Sequence, residues 1–93
     1  MIIKKVVIEL EIKFKIYNKH GVKFSEIEEA LLSKNKFVKK IKSGKYIAFI
    51  KTKRYLTIIF SMEKGIAYIA TAYPSSKWQI DLFQRRVKNE NKL

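Results

Sequence analysis

The chain has no cysteine, one proline, three glycines, one tryptophan and a single histidine among its 93 residues. Without cysteine there can be no disulfide and no thiolate metal site, so the fold rests on packing and the chemistry leaves the compartment open. One histidine rules out a His-Glu-x-x-His helix and deprives a transition-metal site of its usual nitrogen ligands. Asp81 is the sole aspartate, so a Ser-His-Asp set would have to be assembled from His20 and Asp81 alone. The glycines are too few and too scattered for a phosphate-cradling loop. No apolar run approaches the roughly 18 to 20 residues that cross a bilayer. The N-terminal run Val6-Val7-Ile8 stops at Glu9, which is too short for a secretory signal. A cytoplasmic protein with no membrane partner is the expectation.

Acid is the other scarcity. Lysine and arginine number 21 against eight acidic residues, a net charge of +13. Between Ala30 and Met62 there is no acid at all, while Lys34, Lys36, Lys39, Lys40, Lys42, Lys45, Lys51, Lys53 and Arg54 fall in that stretch. A surface this basic attracts polyanions. A lysine-rich solvated surface is the plain reading; a phosphate-tracking face is the functional one.

A hydrophobic fraction of 47% in 93 residues describes one small globular domain spanning 1–93, with Asn89–Leu93 as a frayed end. Ile2–Ile8 is β-branched and apolar and reads as a centrally paired strand. The next segment fits two periods. Leu10, Ile12, Phe14 and Ile16 alternate with charged residues as in a strand, which is the better fit, whereas Leu10, Phe14 and Tyr17 have helical spacing. Ser25 and Glu28 match a capping box, worth about 1 kcal/mol, ahead of a helix whose stripe is Ile27, Ala30 and Leu31. Glu26, Glu28 and Glu29 suit the positive end of that helix. Then come short strands at 37–41, 46–52, 55–61 and 66–73, joined by connections of a few residues, so the sheet is a meander of hairpins. Pro74 ends the last strand, and Ser75 or Ser76 caps a final helix with Trp78, Leu82 and Phe83 along one side. Trp78 and Phe83 serve as core anchors or as part of a partner-binding face, with at least one in the core. The fold class is α+β: an N-terminal strand and two helices, the first of them implied by the resemblance given next, then a three- to four-stranded antiparallel meander and a C-terminal helix.

One stretch carries more than composition. Asn18-Lys19-His20-Gly21-Val22 followed by Glu26-Ile27-Glu28-Glu29-Ala30-Leu31 resembles the small BrnT-type toxins and related families that share a RelE-like ribonuclease fold. There a helix ends in Lys/Arg-His-Gly-Val and a second opens on glutamates before an apolar stripe. The likeness extends through Gly44-Lys45-Tyr46-Ile47 and Arg54-Tyr55-Leu56 to Ile69–Tyr73. It implies a helix over 10–19, ended by Gly21 in the left-handed region. It also implies an RNA substrate, met free or on the ribosome, an antitoxin partner and no cofactor. At Tyr73 the chain departs from the pattern, because the relatives carry arginine there.

RNA cleavage can proceed with the ribose 2′-hydroxyl as nucleophile, so the protein must position the backbone, neutralise the phosphate and move protons. His20 is the side-chain type suited to proton transfer near neutral pH; its plainer role is to bond free carbonyls at a helix end. Tyr73 could donate a proton or stack on a base. Arg54, with Arg85 or Arg86, would meet the phosphate. The catalytic candidates are therefore His20, Tyr73 and Arg54. Lys39, Lys40, Lys53, Lys77, Arg85 and Arg86 are the nucleic-acid-binding candidates. A non-catalytic nucleic-acid-binding domain is the alternative, and a protein-interaction module kept soluble by its charge is a third reading. If the basic face tracks phosphates, RNA affinity should fall linearly in log K against log salt. Salt-insensitive binding in a filter or fluorescence titration would remove the polyanion reading.

Overall fold

The computed structural model describes the backbone of residues 1–90 and side chains through Arg86. The elements, in chain order, are β1 (Lys5–Val7), α1 (Leu10–His20), α2 (Phe24–Leu32), β2 (Lys36–Lys40), β3 (Tyr46–Lys51), β4 (Tyr55–Glu63), β5 (Ile66–Pro74) and α3 (Lys77–Glu90). The α+β class and the antiparallel meander β2–β5 match the expectation. α3 runs through Asn89 to Glu90, and the rest of the expected tail, 91–93, lies outside the described residues.

The sheet order is β1-β5-β4-β3-β2, so β1 is an edge strand and not a central one. It pairs parallel with β5 over three residues, Lys5 to Ile66 through Val7 to Tyr68. Ile3 and Val6 are buried in the core, but Ile2 is 80% exposed. The apolar run therefore reflects one buried face, and the strand's other neighbour is solvent.

Side chains alternate across the sheet as a pleat requires. Ala48, Ile50, Leu56, Ile58 and Phe60 form the main core with Ile16 of α1, Val22, and Ile27, Ala30 and Leu31 of α2. On the opposite face Phe49 stacks on Phe37, with centroids 5.9 Å apart. Phe83 of α3 meets Tyr55 edge-on there. Of the two α3 aromatics Phe83 is the core anchor. Trp78 is 63% exposed, keeping only an edge contact with Phe49. Among the described residues of α3, Gln79 and Phe83 are the buried ones.

α1 is a helix, and the αL residue at its end is Gly21 (φ 66°), whose N–H bonds the Tyr17 carbonyl. Its buried residue is Ile16, with Ile12 packed against the core. The stripe with helical spacing in the sequence, Leu10, Phe14 and Tyr17, faces outward and is half or more exposed. β-Branched isoleucines claim the sheet side because α1 runs along β5.

Two details steer the site. Between Ile59 and Phe60 of β4 the pairing slips from Thr71 to Ile69, leaving Ala70 of β5 without an opposite residue. Ala67 and Ile69 point into the main core before this bulge and Ala72 does so after it. The parity of β5 has flipped, so Tyr73 is aimed away from the core it would otherwise enter. The second detail is the β4–β5 turn, Lys64-Gly65, in which both residues have positive φ as a two-residue type I′ hairpin demands.

The start of α2 differs from the capping box. Lys23 occupies the N-cap with no side-chain cap bond, and Ser25 lies exposed inside the first turn. Val22 and Ile27, one residue before the cap and four into the helix, are both 1% exposed. They form a hydrophobic staple, and burying Val22 fixes the entry two residues earlier than Ser25 would. Ser25→Ala should therefore change stability by no more than about 0.5 kcal/mol. Ile27→Ala should cost about 2 to 5 kcal/mol. Denaturant midpoints of the two variants check both.

Candidate functional site

α1 ends against the C-terminal half of β5, and there two of the catalytic candidates, His20 and Tyr73, meet. The His20 and Tyr73 rings lie with centroids 5.8 Å apart, tilted by 47°. His20 also borders a shallow cleft of about 280 Å³ whose other walls include Ile16, Lys19, Ala70 and Thr71. Among the described residues the ring makes no hydrogen bond to a helix-end carbonyl, so it is not the carbonyl cap of the plainer reading. The bulge at Ala70 and the break at Gly21 both serve this meeting. One turns Tyr73 outward, and the other stops α1 with His20 as its last residue.

Tyr73 sits opposite Thr57 in the sheet, and α3 begins beside them. Gln79, 4% exposed, donates from Nε2 to the Tyr73 hydroxyl at 3.2 Å. Its Oε1 accepts from the Ser76 N–H at 2.9 Å and from the buried Thr57 hydroxyl at 3.0 Å. Sequence reasoning passed over Gln79. The signal was present, because Ser76-Lys77-Trp78-Gln79 has the spacing of a Ser-x-x-Gln capping box, and Gln79 does reach back to the cap residue's N–H.

Arg54 lies in the β3–β4 connection and reaches the same end of the molecule. Its Nε and Nη2 donate to the two Glu26 carboxylate oxygens at 2.8 Å each. Nη2 also donates to the Gly21 carbonyl at 3.0 Å. Two of the three guanidinium nitrogens are thus engaged within the protein, and Arg54 fixes the residue that follows His20. Glu26, read from the sequence as a helix-start charge, is also the partner of this fork. The Arg54 guanidinium bonded to it holds the Glu26 carboxyl below its ordinary value of 4.5. Partial burial opposes this, while the charges of Arg54 and Lys53 and the Lys23 N–H reinforce it.

The nucleic-acid-binding candidates do not form one face. Lys39 and Lys40 are neighbours on β2 and so project from opposite sides of the sheet. Lys40 joins Lys34, Lys36, Phe37 and Tyr46 around an open cleft of about 420 Å³. Lys36 there donates to the Ser33 carbonyl at 2.7 Å, and burial pushes its ammonium pKa down. Arg86 lies over Phe37, 4.8 Å from the ring centroid, and Arg85 beside it is exposed. Seven residues of helix, about 10 Å along the axis, separate Arg86 from Gln79. Lys77 opens α3, two residues before Gln79, and is exposed, as is Lys53 near Glu26. Among the described residues no cluster of His, Asp and Glu could hold a metal ion, and no helix is long and apolar enough to cross a membrane.

This arrangement, with a histidine-ended helix and a glutamate-rich helix over a five-stranded mixed sheet and a third helix behind it, is the BrnT-like α+β fold. The crystal structure of the ribonuclease toxin BrnT of Brucella abortus superimposes on the chain with a TM-score of 0.68. The match covers 78% of this chain and 97% of that one, at 17% sequence identity. No family model matches the sequence, and no curated protein matches it in sequence.

The Arg54–Glu26 fork makes a titratable prediction. Glu26 has a depressed pKa in the folded state, so its contribution is present above the unfolded value and is lost as pH falls through the folded one. Wild type should exceed Glu26→Gln in stability by about 1 kcal/mol near pH 7, the upper part of the range for a partly exposed pair. The gap should close as the pH is lowered below about 4. Urea midpoints for both proteins across that interval check the sign.

Proposed function

We propose that the chain is a ribonuclease of the toxin type, cleaving RNA at the His20–Tyr73 pair. One observation carries this reading: on a BrnT-like fold, the two residues singled out for proton transfer lie ring to ring at the end of α1. The chemistry asks little more. The 2′-oxygen bonds to phosphorus as the 2′-hydroxyl gives up its proton, and the phosphorus to 5′-oxygen bond breaks as that oxygen gains one. The products are a 2′,3′-cyclic phosphate and a 5′-hydroxyl. One of the pair takes the first proton and the other supplies the second. Arg54 positions His20 through Gly21, and its remaining nitrogen is the donor left for a phosphate oxygen. Lys77 and Lys19 add positive charge beside the pair, and Arg85, Arg86 and Lys39 lie further along the path of a bound strand.

A protein partner of the antitoxin kind fits the exposed stripe Leu10, Phe14 and Tyr17 on α1, which is more apolar surface than a solvated helix face needs. The alternative, a nucleic-acid-binding domain without catalysis, draws on Arg54. The guanidinium expected at the phosphate spends two nitrogens on Glu26 and Gly21.

The assay is purified protein with labelled RNA, alone and with translating ribosomes. Cleavage is expected in at least one setting. His20→Ala and Tyr73→Phe should each slow it by about 10² to 10⁴ while RNA binding persists. Intact RNA in both settings would overturn the enzyme reading and leave the binding domain. Single variants that match wild type would displace the His20–Tyr73 pair.

A further inference from the structure

We infer that Gln79 is a positioning residue that fixes the direction of the Tyr73 hydroxyl, making Tyr73 the proton donor of the site and His20 the acceptor. One atom beside Gln79 has a role that cannot be reversed. The Ser76 backbone N–H is only ever a donor, and it lies 2.9 Å from one terminal atom of Gln79. That atom must be the oxygen, so the other is the amide nitrogen. At 4% exposure Gln79 has no freedom to turn over. The amide nitrogen carries only hydrogens to offer, and it faces the Tyr73 oxygen at 3.2 Å. Tyr73 therefore accepts from Gln79, and its own hydrogen must point elsewhere.

The rest of the chain of bonds runs the same way. Thr57, fully buried, gives its one hydroxyl hydrogen to Gln79 Oε1. In the 2.8 Å contact between Thr57 and Ser75, Ser75 is then the donor. Every hydroxyl hydrogen in the cluster is committed except that of Tyr73, on the site's side of the network. A cap for α3 needs only the Gln79 oxygen; the bond from its nitrogen to Tyr73 has no part in capping. A phenol held as an acceptor by a buried amide is set to give its hydrogen to an incoming oxygen. In the cleavage proposed above, on which this assignment rests, that oxygen is the departing 5′-oxygen. His20 then takes the 2′-hydroxyl proton. The cycle closes when water returns a proton to the phenolate and removes one from the imidazolium.

Gln79→Glu tests the polarity with little change of shape. The introduced carboxylate still accepts from Ser76 and Thr57, so α3 keeps its cap, which thermal melts verify. It has no hydrogen to offer, so Tyr73 turns its hydroxyl inward to donate. In Raman difference spectra against Tyr73→Phe, the intensity ratio of the tyrosine Fermi doublet should fall from its wild-type value, the signature of a phenol that has become a donor. Cleavage near pH 8 should drop about a hundredfold or more, toward the Tyr73→Phe level. Adding Tyr73→Phe to Gln79→Glu should then cost nothing further. Lowering the pH until the carboxyl is neutral should restore the variant relative to wild type, because the neutral acid can again donate to Tyr73. A structural role would not give that pH dependence.

An unchanged Raman ratio, or wild-type cleavage by Gln79→Glu near pH 8, overturns the inference. If wild type does not cleave RNA, the Raman ratio alone decides the polarity, and only the ribonuclease reading falls. Should Gln79→Glu fail to fold, Gln79→Met removes the same donor without charge, and the ratio should again fall.

Discussion

The fork between Arg54 and Glu26 holds together parts of the chain that no strand pairing connects. Arg54 belongs to the β3–β4 connection, Glu26 to the first turn of α2, and Gly21 to the break between α1 and α2. A single guanidinium touches all three. The sheet orders the strands and the apolar core seats the helices. Neither would by itself fix the azimuth at which α1 ends. The ties to Gly21 and Glu26 do so, and the position of His20 over Tyr73 follows. Partly exposed ion pairs contribute modestly to stability, so the worth of this one lies in geometry.

The bulge at Ala70 acts on the same place from the other side. Without it, Tyr73 would share the inward face of Ala67 and Ile69. With it, the hydroxyl reaches Gln79 and the ring reaches His20. The electrostatics are divided by the same pleat. The acid-free lysine stretch looks continuous in sequence, yet β2 sends Lys39 and Lys40 to opposite faces. A polyanion lying across the α3 side would meet Lys39 and Arg86, while Lys34, Lys36 and Lys40 surround a separate cleft.

What could be read from the sequence was whatever depends on neighbours along the chain. Short connections gave the meander, Gly21 gave the end of α1, and Ile27, Ala30 and Leu31 gave the buried stripe of α2. The resemblance around His20-Gly21-Val22 supplied the fold class and resolved a segment whose period fitted both strand and helix. What escaped depends on partners far away. Arg54 and Glu26 are 28 residues apart. The bulge was hidden because Ala70 and Ala72 flank Thr71 with side chains small enough for either face. The start of α2 was misplaced because a hydroxyl at Ser25 is visible in sequence, whereas the burial of Val22 against the core is not. The stripe on α1 pointed outward for a related reason: helical spacing marks an apolar face but not what covers it.

The parallel pairing of β1 with β5 bears on how the chain comes to be folded. Lys5 pairs with Ile66, so among the described residues the first strand's pairing partner lies about 60 residues later. The hairpins of β2, β3 and β4 need only neighbouring chain, while β1, which also touches α2, has no strand to pair with until β5 is in place. The same strand that carries Tyr73 thus closes the sheet, so the site cannot form ahead of the finished fold.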